Sequence, residues 1–278
     1  MFIEFANYQR DVKGLQRSTL IEYTKSLTDF QTWFLDNIPG CRWNNVTLTV
    51  VNGYVADLSQ RKIEPATIRA RVSAIRTYSK WQYMTQQRSE DWARYAQTPK
   101  LRQKTMQIAD LDVVRAYLQA VPTDADDRRL KAITALMLTT GLRISEALAV
   151  KTSDIDKAKK RIHIVGKGLK ERYVYYQADT AAYLNKMLGR CSGLLFAGWT
   201  ARDCRESMYQ HLRAQGRGYH PHMLRHLFAT TMIDEGVDLH TLADLLGHTT
   251  IKTTEKYLHT SSTRASQATA QGAPRLTA

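Results

Sequence analysis

Residues 220–259 read HPHMLRHLFATTMIDEGVDLHTLADLLGHTTIKTTEKYLH, and they spell out three helices with two glycine stops. HMLRHLFATTMIDE ends at Gly236, LHTLADLL ends at Gly247, and Thr250 caps a short helix through Tyr257. Glycine just past a last turn stops a helix because it enters the left-handed conformation without a Cβ penalty. Working outward, RIHIV (161–165) and ERYVYY (171–176) flank GKGLK and read as a β-hairpin with Ile162, Ile164, Tyr173 and Tyr175 alternating. Asp110 to Leu118 and Leu130 to Val150 read as helices. The expectation is a mainly α chain with a small β-sheet.

The N-terminal part is helical throughout. Residues 17–37 read as an amphipathic helix with a Thr19/Glu22 capping box and Leu20, Tyr23, Leu27, Phe30 and Trp33/Phe34 at three-to-four spacing. This is the first helix expected from the pattern. A second carries Val51, Tyr54, Val55 and Leu58, and a third starts at Pro65 and runs through Ile68, Val72, Ile75 and Tyr78. QTPKLRQKTM (97–106) has a proline, three basic residues and no periodicity, and reads as a linker. The division is therefore an N-terminal helical domain over 1–96, a linker over 97–106, a second domain over 107–260 and a polar tail over 261–278.

Length and composition agree with this division. At 278 residues, 43% hydrophobic and 24% charged, the chain has enough apolar material for two ordinary globular domains. No apolar run reaches the roughly 18 residues a membrane helix needs, and the N-terminus lacks the basic-then-apolar order of a signal peptide, so a cytoplasmic location is expected. The three cysteines are scattered outside any CxxC spacing, which indicates neither a disulfide framework nor a cysteine-rich zinc site. Net charge +14 points to a polyanionic partner. Over half of that excess lies in residues 61–104, where eleven basic residues face three acids. Within it Arg69, Arg76 and Lys80 are seven and then four apart, which stacks them on one helical stripe suited to consecutive phosphates.

There is no GxxxxGK[ST], GxGxxG, GxSxG or HExxH motif, so nucleotide-driven, dinucleotide, serine-hydrolase and zincin chemistry lack support. What remains is a set of cations and a tyrosine: Arg143 in TTGLRISEAL, Lys167 in IVGKGLKERYV, His222 and Arg225 in HPHMLRHLFAT, His248 and Tyr257 in LLGHTTIKTTEKYLH. Each taken alone is an ordinary surface, turn or packing residue. Together they match phosphodiester chemistry, because charge grows on the nonbridging oxygens as a nucleophile attacks and two guanidinium forks clamp it. His222 and Arg225, three apart, share a helical face; a hairpin lysine can protonate a leaving oxygen; and a phenol becomes a nucleophile when cations stabilise its anion.

In these residues the chain resembles the tyrosine recombinases, the family of phage integrases and Xer-type recombinases. Arg143, Lys167, His222, Arg225, His248 and Tyr257 occur in the family's order, within GLRISE, GKG, HMLRH, LGHTT and TTEKYLH. The resemblance implies an N-terminal helical, SAM-like core-binding domain and a mixed α/β catalytic domain clamped around DNA. It implies a site-specific recombinase in which Tyr257 attacks a scissile phosphate to give a 3′-phosphotyrosyl link and a free 5′-hydroxyl, without metal or nucleotide cofactor. It further implies double-stranded DNA with inverted-repeat core sites as partner, a homotetramer on two sites, and Glu146 as the acidic neighbour orienting Arg143. His226, directly after Arg225, carries a weaker claim, as a histidine that supports the site from behind or is structural, and His220 is likewise structural. The segment after Tyr257 is rich in Ser, Thr, Ala and Gln and offers few apolar anchors for docking on a neighbouring protomer. The lack of long insertions between motifs points to a simple Xer- or resolvase-like architecture.

Three other readings stay open at this stage. One is a metal-dependent nuclease using His220, His222 and His226, against which stand the lack of an acid in that motif and the cation of Arg225. Another is a DNA-binding protein that kept the fold without catalysis. The third is a type IB topoisomerase, which shares the chemistry.

Overall fold

The computed structural model describes residues 2–101, 107–166, 170–188, 193–214, 217–248 and 250–257. The chain divides into two compact units, Met1–Lys104 and Thr105–Ala278.

The first unit is helical: α1 (Ile3–Asp11), α2 (Arg17–Asn37), a 3-10 turn (Trp43–Asn45), α3 (Leu48–Gln60) and α4 (Pro65–Met84). Its core interleaves Leu27, Phe30 and Phe34 of α2 with Val51, Tyr54 and Leu58 of α3 and Ile68, Val72 and Ile75 of α4. Two expectations are corrected here. The first helix starts at Ile3, not near residue 17, because Phe2 and Phe5 insert edge-on against Tyr78 at 5.2 and 5.3 Å. Tertiary packing of aromatic rings makes a helix of nine residues that its own propensity would not sustain. The Thr19/Glu22 capping box does not form either. The helix begins at Arg17 with Gln16 in the capping position, so Thr19 lies inside the first turn, where it cannot cap.

The second unit holds α5 (Leu111–Gln119), α6 (Ala125–Thr140), α7 (Ile144–Ala149), β1 (Ile155–Asp156), β2 (Arg161–Val165), β3 (Glu171–Tyr175), α8 (Ala178–Leu188) and α9 (Ala201–His211). It continues through the short β4 (Arg213–Ala214) and β5 (Arg217–Gly218) to α10 (Pro221–Asp234), α11 (Leu239–Leu246) and α12 (Lys252–Glu255). The fold is thus mostly helical with a small antiparallel sheet, ordered β1-β2-β3. α6 is buried along most of its length from Leu130 onward and packs against both α8 and α10.

The continuous helix expected over 130–150 is instead two helices. α6 starts at Ala125 behind the Asp124 cap and ends at Gly141, which adopts φ +65°. A Cβ on Gly141 would lie 2.4 Å from the Phe228 ring of α10, so this stop serves close packing as well as chain reversal. The hairpin register also differs from expectation. Ile162 pairs with Val174, and antiparallel partners share a face, so Val174 and Tyr176 turn inward with Ile162 and Ile164. Tyr173 and Tyr175 face outward. Among the described residues, no helix is long and apolar enough to cross a membrane.

Candidate active site

The break at Gly141 sets up the site. It turns the chain so that Arg143 occupies the capping position of α7, where its backbone N–H donates to Glu146 Oε2 at 2.8 Å. The Arg143 guanidinium donates to Glu146 Oε1 at 3.0 Å and to the Leu246 carbonyl at 3.4 Å. Glu146 is buried and collects more than this. Arg172 of β3 forks onto both its oxygens at 3.2 and 3.0 Å, and Arg225 Nη1 stands 3.9 Å away. Burial alone would raise the Glu146 pKa, but the hydrogen bonds from Arg172 and from the Arg143 N–H, with both charges, hold it below the usual carboxylate range.

Arg225, on α10, is 3% exposed. Its two terminal nitrogens donate to the Gly141 and Leu246 carbonyls at 2.7 and 2.8 Å, tying together the ends of α6 and α11. Those carbonyls are available because each helix ends at a left-handed glycine, leaving its last acceptors open. Burial, then the neighbouring Arg143 charge, pulls the Arg225 pKa down to about 10, which still leaves a cation at neutral pH. Arg172 Nε donates to the Leu245 carbonyl at 3.1 Å, and its guanidinium lies where a Cβ on Gly247 would be, 2.7 Å from Nη1. Only glycine leaves that space open.

His248 follows directly. Its Nε2 lies 2.9 Å from Arg225 Nη2 and its Nδ1 2.8 Å from Thr254 Oγ1. Burial and the charges of Arg225 and Arg143 push its pKa down to about 4, so the ring is neutral, Nε2 accepts from Arg225 and Nδ1–H donates to Thr254. Thr254 sits on α12, so this contact helps fix Tyr257 one turn onward, whose N–H donates to the Thr254 carbonyl at 3.0 Å.

Tyr257 is 1% exposed and packs with Phe228, Ile233, Leu242 and Leu246. Its hydroxyl lies 3.0 Å from His226 Nδ1. Burial raises its pKa, and the charges of Arg225 and Arg143 and a hydrogen bond from Arg225 oppose that rise. The Lys256 ammonium lies 4.9 Å from the centre of the Tyr257 ring. His222 is exposed, its ring stacked 6.5 Å from that of His226. Burial and the surrounding cations bring His226 to a pKa of about 4.

Arg143, Glu146, Arg225, His248 and Tyr257 therefore converge, with His222 at the edge beside His226. Lys167 lies outside the described residues; the hairpin carrying it is closed at its base, where the Gly166 N–H donates to the Lys170 carbonyl at 2.8 Å. Two residues enter the site that the sequence does not point to, and a third, His226, has only a weaker claim there. Arg172 is a strand arginine whose sequence neighbours give no hint of a buried role, and Lys256 sits beside the tyrosine. His226 had a signal: four residues after His222, it shares that helix face. Three guanidinium groups on one carboxylate leave an excess of positive charge with donors to spare, a site built for an anion. Among the described residues, no group of three His, Cys, Asp or Glu side chains is arranged to hold a metal ion.

In the first unit, Arg69 and Lys80 of α4 are exposed, whereas Arg76 is half-buried and donates to the Ala96 carbonyl. The stripe of three is thus two free cations and one tied to the fold. Lys80 and Arg76 line a groove together with Lys13 and Arg94.

Residues 108–264 match the model of the phage integrase family, and residues 2–86 match the phage integrase N-terminal SAM-like domain. Similar curated proteins include tyrosine recombinase XerD of Oceanobacillus iheyensis, 28% identical over 94% of each chain. Tyrosine recombinase XerC of Vibrio cholerae is 26% identical over 98% of this chain and 91% of its own. Similar solved structures include the Tn1549 transposon integrase in complex with transposon right-end DNA, with TM-score 0.73 and 15% identity over 98% of this chain and 99% of that one. The XerH site-specific recombinase bound to palindromic difH substrate has TM-score 0.71 and 20% identity over 90% of this chain and 79% of that one.

Proposed function

This chain belongs to the phage integrase family of tyrosine recombinases, and on that premise we propose that it recombines DNA site-specifically through a 3′-phosphotyrosyl intermediate on Tyr257, with no metal or nucleotide cofactor. The observation that supports this most is the gathering of Arg143 and Arg225 on the buried Glu146, with the Tyr257 hydroxyl in the field of both cations.

A scissile phosphate enters where the positive charge exceeds the carboxylate. Arg143, the more exposed of the guanidinium groups, and Arg225 donate to its nonbridging oxygens, while Glu146 holds Arg143 in orientation. Losing one such preorganised donor costs a rate factor on the order of 100 to 1,000. His248, braced by Thr254, accepts from Arg225 and so orients that guanidinium, and His222 meets the DNA from its exposed position. Tyr257 Oη attacks phosphorus, the bond to the 5′ oxygen breaks, and Lys167 protonates that oxygen as it leaves. Rejoining reverses these steps on the partner strand.

The helical unit over residues 1–96 supplies affinity through phosphate contacts of Arg69 and Lys80, residues 97–106 link it to the chemistry, and residues 107–260 cleave. Double-stranded DNA with inverted-repeat core sites is the substrate, and a homotetramer on two sites exchanges strands. The names of the relatives and of the DNA-bound neighbours support this reading.

The test uses duplexes selected from a randomised pool by binding to this chain, then nicked near the cleavage point so that religation fails. The native chain accumulates a protease-sensitive covalent adduct, and Tyr257→Phe binds the same duplex within about twofold and forms none. A persistent adduct with Tyr257→Phe removes Tyr257 from the role. Relaxation of supercoils without strand exchange moves the chain to a topoisomerase.

A further inference from the structure

We infer that Arg172 is a positioning residue for departure of the 5′ oxygen, fixing the base of the hairpin from which Lys167 acts. The inference rests on the reading of Tyr257 as nucleophile and Lys167 as acid. It starts from the place of one guanidinium group. Arg172 Nη1 and Nη2 donate to the two Glu146 oxygens at 3.2 and 3.0 Å, and Nε donates to the Leu245 carbonyl at 3.1 Å. A third element meets the same group. A Cβ on Gly166 would lie 3.4 Å from Arg172 Nη1, 4.0 Å from Glu146 Oε1 and 3.3 Å from the Lys170 carbonyl. The hairpin backbone therefore rests on the ion pair at the residue just before Lys167.

The strands explain why this contact matters. Ile164 pairs with Arg172 and Val165 with Glu171, and the Gly166 N–H donates to the Lys170 carbonyl at 2.8 Å. That ladder fixes one strand against the other, but it does not fix the hairpin against the arginines that meet the phosphate. Among the described residues, every hydrogen bond from β2 or β3 to α7 or α11 is made by Arg172. α7 presents Glu146 to Arg143, and α11 ends at Leu246, whose carbonyl accepts from both Arg143 and Arg225. Arg172 thus ties the hairpin to the two elements that set the phosphate clamp.

Burial makes the tie stiff and keeps Arg172 itself off the substrate. Its side chain is 14% exposed and its fork is taken up by a carboxylate that is 8% exposed. A planar guanidinium serves the two carboxylate oxygens and the carbonyl at fixed angles, which a lysine ammonium on a flexible stem does not. The step served is a proton transfer. As the bond from phosphorus to the 5′ oxygen breaks with its electron pair, that oxygen takes a proton from the Lys167 ammonium, which is left as the neutral amine. Donor and acceptor must come within about 3 Å. A misplacement of about 1 Å costs on the order of 100-fold. Arg143 and Arg225 act on the nonbridging oxygens whatever the leaving group, so the two kinds of loss can be told apart.

The test uses the full chain and the nicked duplex described above, made with either oxygen or sulfur at the 5′ bridging position of the scissile phosphate. A thiolate leaves without needing a proton. Single-turnover adduct formation is measured for Arg172→Ala and for Arg172→Lys, which keeps the charge and loses the fork. On the oxygen substrate each is slowed on the order of 100-fold. On the sulfur substrate each returns to within about tenfold of the native chain, as Lys167→Ala does, whereas Arg143→Ala stays slow on both. Adding Arg172→Lys to Lys167→Ala slows cleavage of the oxygen substrate by no more than about threefold beyond Lys167→Ala alone, because both act on one proton. DNA affinity and melting temperature, measured on every variant, report folding, and Arg172→Lys decides if Arg172→Ala does not fold.

If the Arg172 variants are slow on both substrates, Arg172 acts through the phosphate clamp and the assignment is overturned. Cleavage of the oxygen substrate within about threefold of the native rate, losses that multiply in the double variant, or failure of both variants to fold make Arg172 a packing residue and overturn it equally. If sulfur does not rescue Lys167→Ala, the acid reading fails; if the native chain forms no adduct through Tyr257, the nucleophile reading fails. Both of those results are read without any change at Arg172 and are distinct from its outcomes.

Discussion

Replacing Glu146 by alanine should cost more stability than any other single charge removal in the second unit. Glu146 accepts four hydrogen bonds from Arg143 and Arg172. The Arg143 side chain is 37% exposed and rehydrates when the carboxylate goes, so its share is small; that of Arg172 is 14% exposed and that of Arg225 4% exposed, and they cannot. Two charge-assisted bonds from Arg172, at about 1.5–3 kcal/mol each, sum to about 3–6 kcal/mol. Breaking a buried ion pair by removing one partner costs about 3–5 kcal/mol, which lies inside that range and is taken as the loss. For a unit of this size that lowers the melting temperature by roughly 6–20 °C. Glu146→Gln, which keeps one acceptor but turns an amide NH2 towards a guanidinium, should lose about half as much.

Chemical and thermal unfolding of the full chain measures this loss, and raising salt should change it little because the network is buried. Acid should mimic the substitution. The folded pKa of Glu146 lies below its unfolded value, so the unfolded state binds more protons. Its contribution is complete above about pH 4.5 and is lost as pH falls through the folded value. A loss below about 1 kcal/mol for Glu146→Ala would refute the claim that one carboxylate organises the three arginines.

Arg143→Ala and Arg225→Ala should each slow adduct formation on the nicked duplex on the order of 100-fold while weakening binding far less; equal losses in both would make them ordinary phosphate anchors. Gly141→Ala should cost about 2–5 kcal/mol in denaturant unfolding, the sum of a left-handed alanine and a Cβ 2.4 Å from the Phe228 ring, and a loss under about 1 kcal/mol would mean that the α6–α10 approach is loose. Alanine at Arg69, Arg76 and Lys80 together should shallow the slope of log affinity against log salt by about 1.8 units, since Arg76 is tied to Ala96; an unchanged slope would make the stripe a solvated face. His226 and His248 have folded pKa values of about 4, below the unfolded histidine value near 6.5, so stability should fall as pH drops from about 6.5 to 4 and level off below. Loss of that acid slope in the double alanine variant is the check.

The sequence carried the helix stops and the residue order of the site because these depend on local chemistry. Gly236 and Gly247 end helices by conformation alone, and Arg143, Arg225, His248 and Tyr257 come together as the order of their motifs suggests. What escaped depends on contacts distant in sequence. α1 exists because Phe2 and Phe5 reach Tyr78, which no window of nine residues reveals. The break after Thr140 hides in a run whose apolar spacing continues through it, and shows only in the fit of Gly141 against Phe228. Arg172 looks like a strand-edge cation until the hairpin register sets it opposite Ile164, where it reaches Glu146. His226 ranks behind His222 in the sequence because only the spacing to Arg225 is legible there, whereas the return of Tyr257 onto α10 is a long-range contact.

The central claim is that Tyr257 is the nucleophile, and mapping the covalent adduct tests it most directly. The native chain is trapped on the nicked duplex in the presence of a metal chelator, digested, and the DNA-linked peptide is sequenced by mass spectrometry. The account predicts one phosphotyrosyl peptide, linked through Tyr257 to the 3′ side of the cleaved strand. A link through Tyr173, Tyr175 or any other residue, or cleavage that stops with the chelator and leaves no adduct, would contradict it.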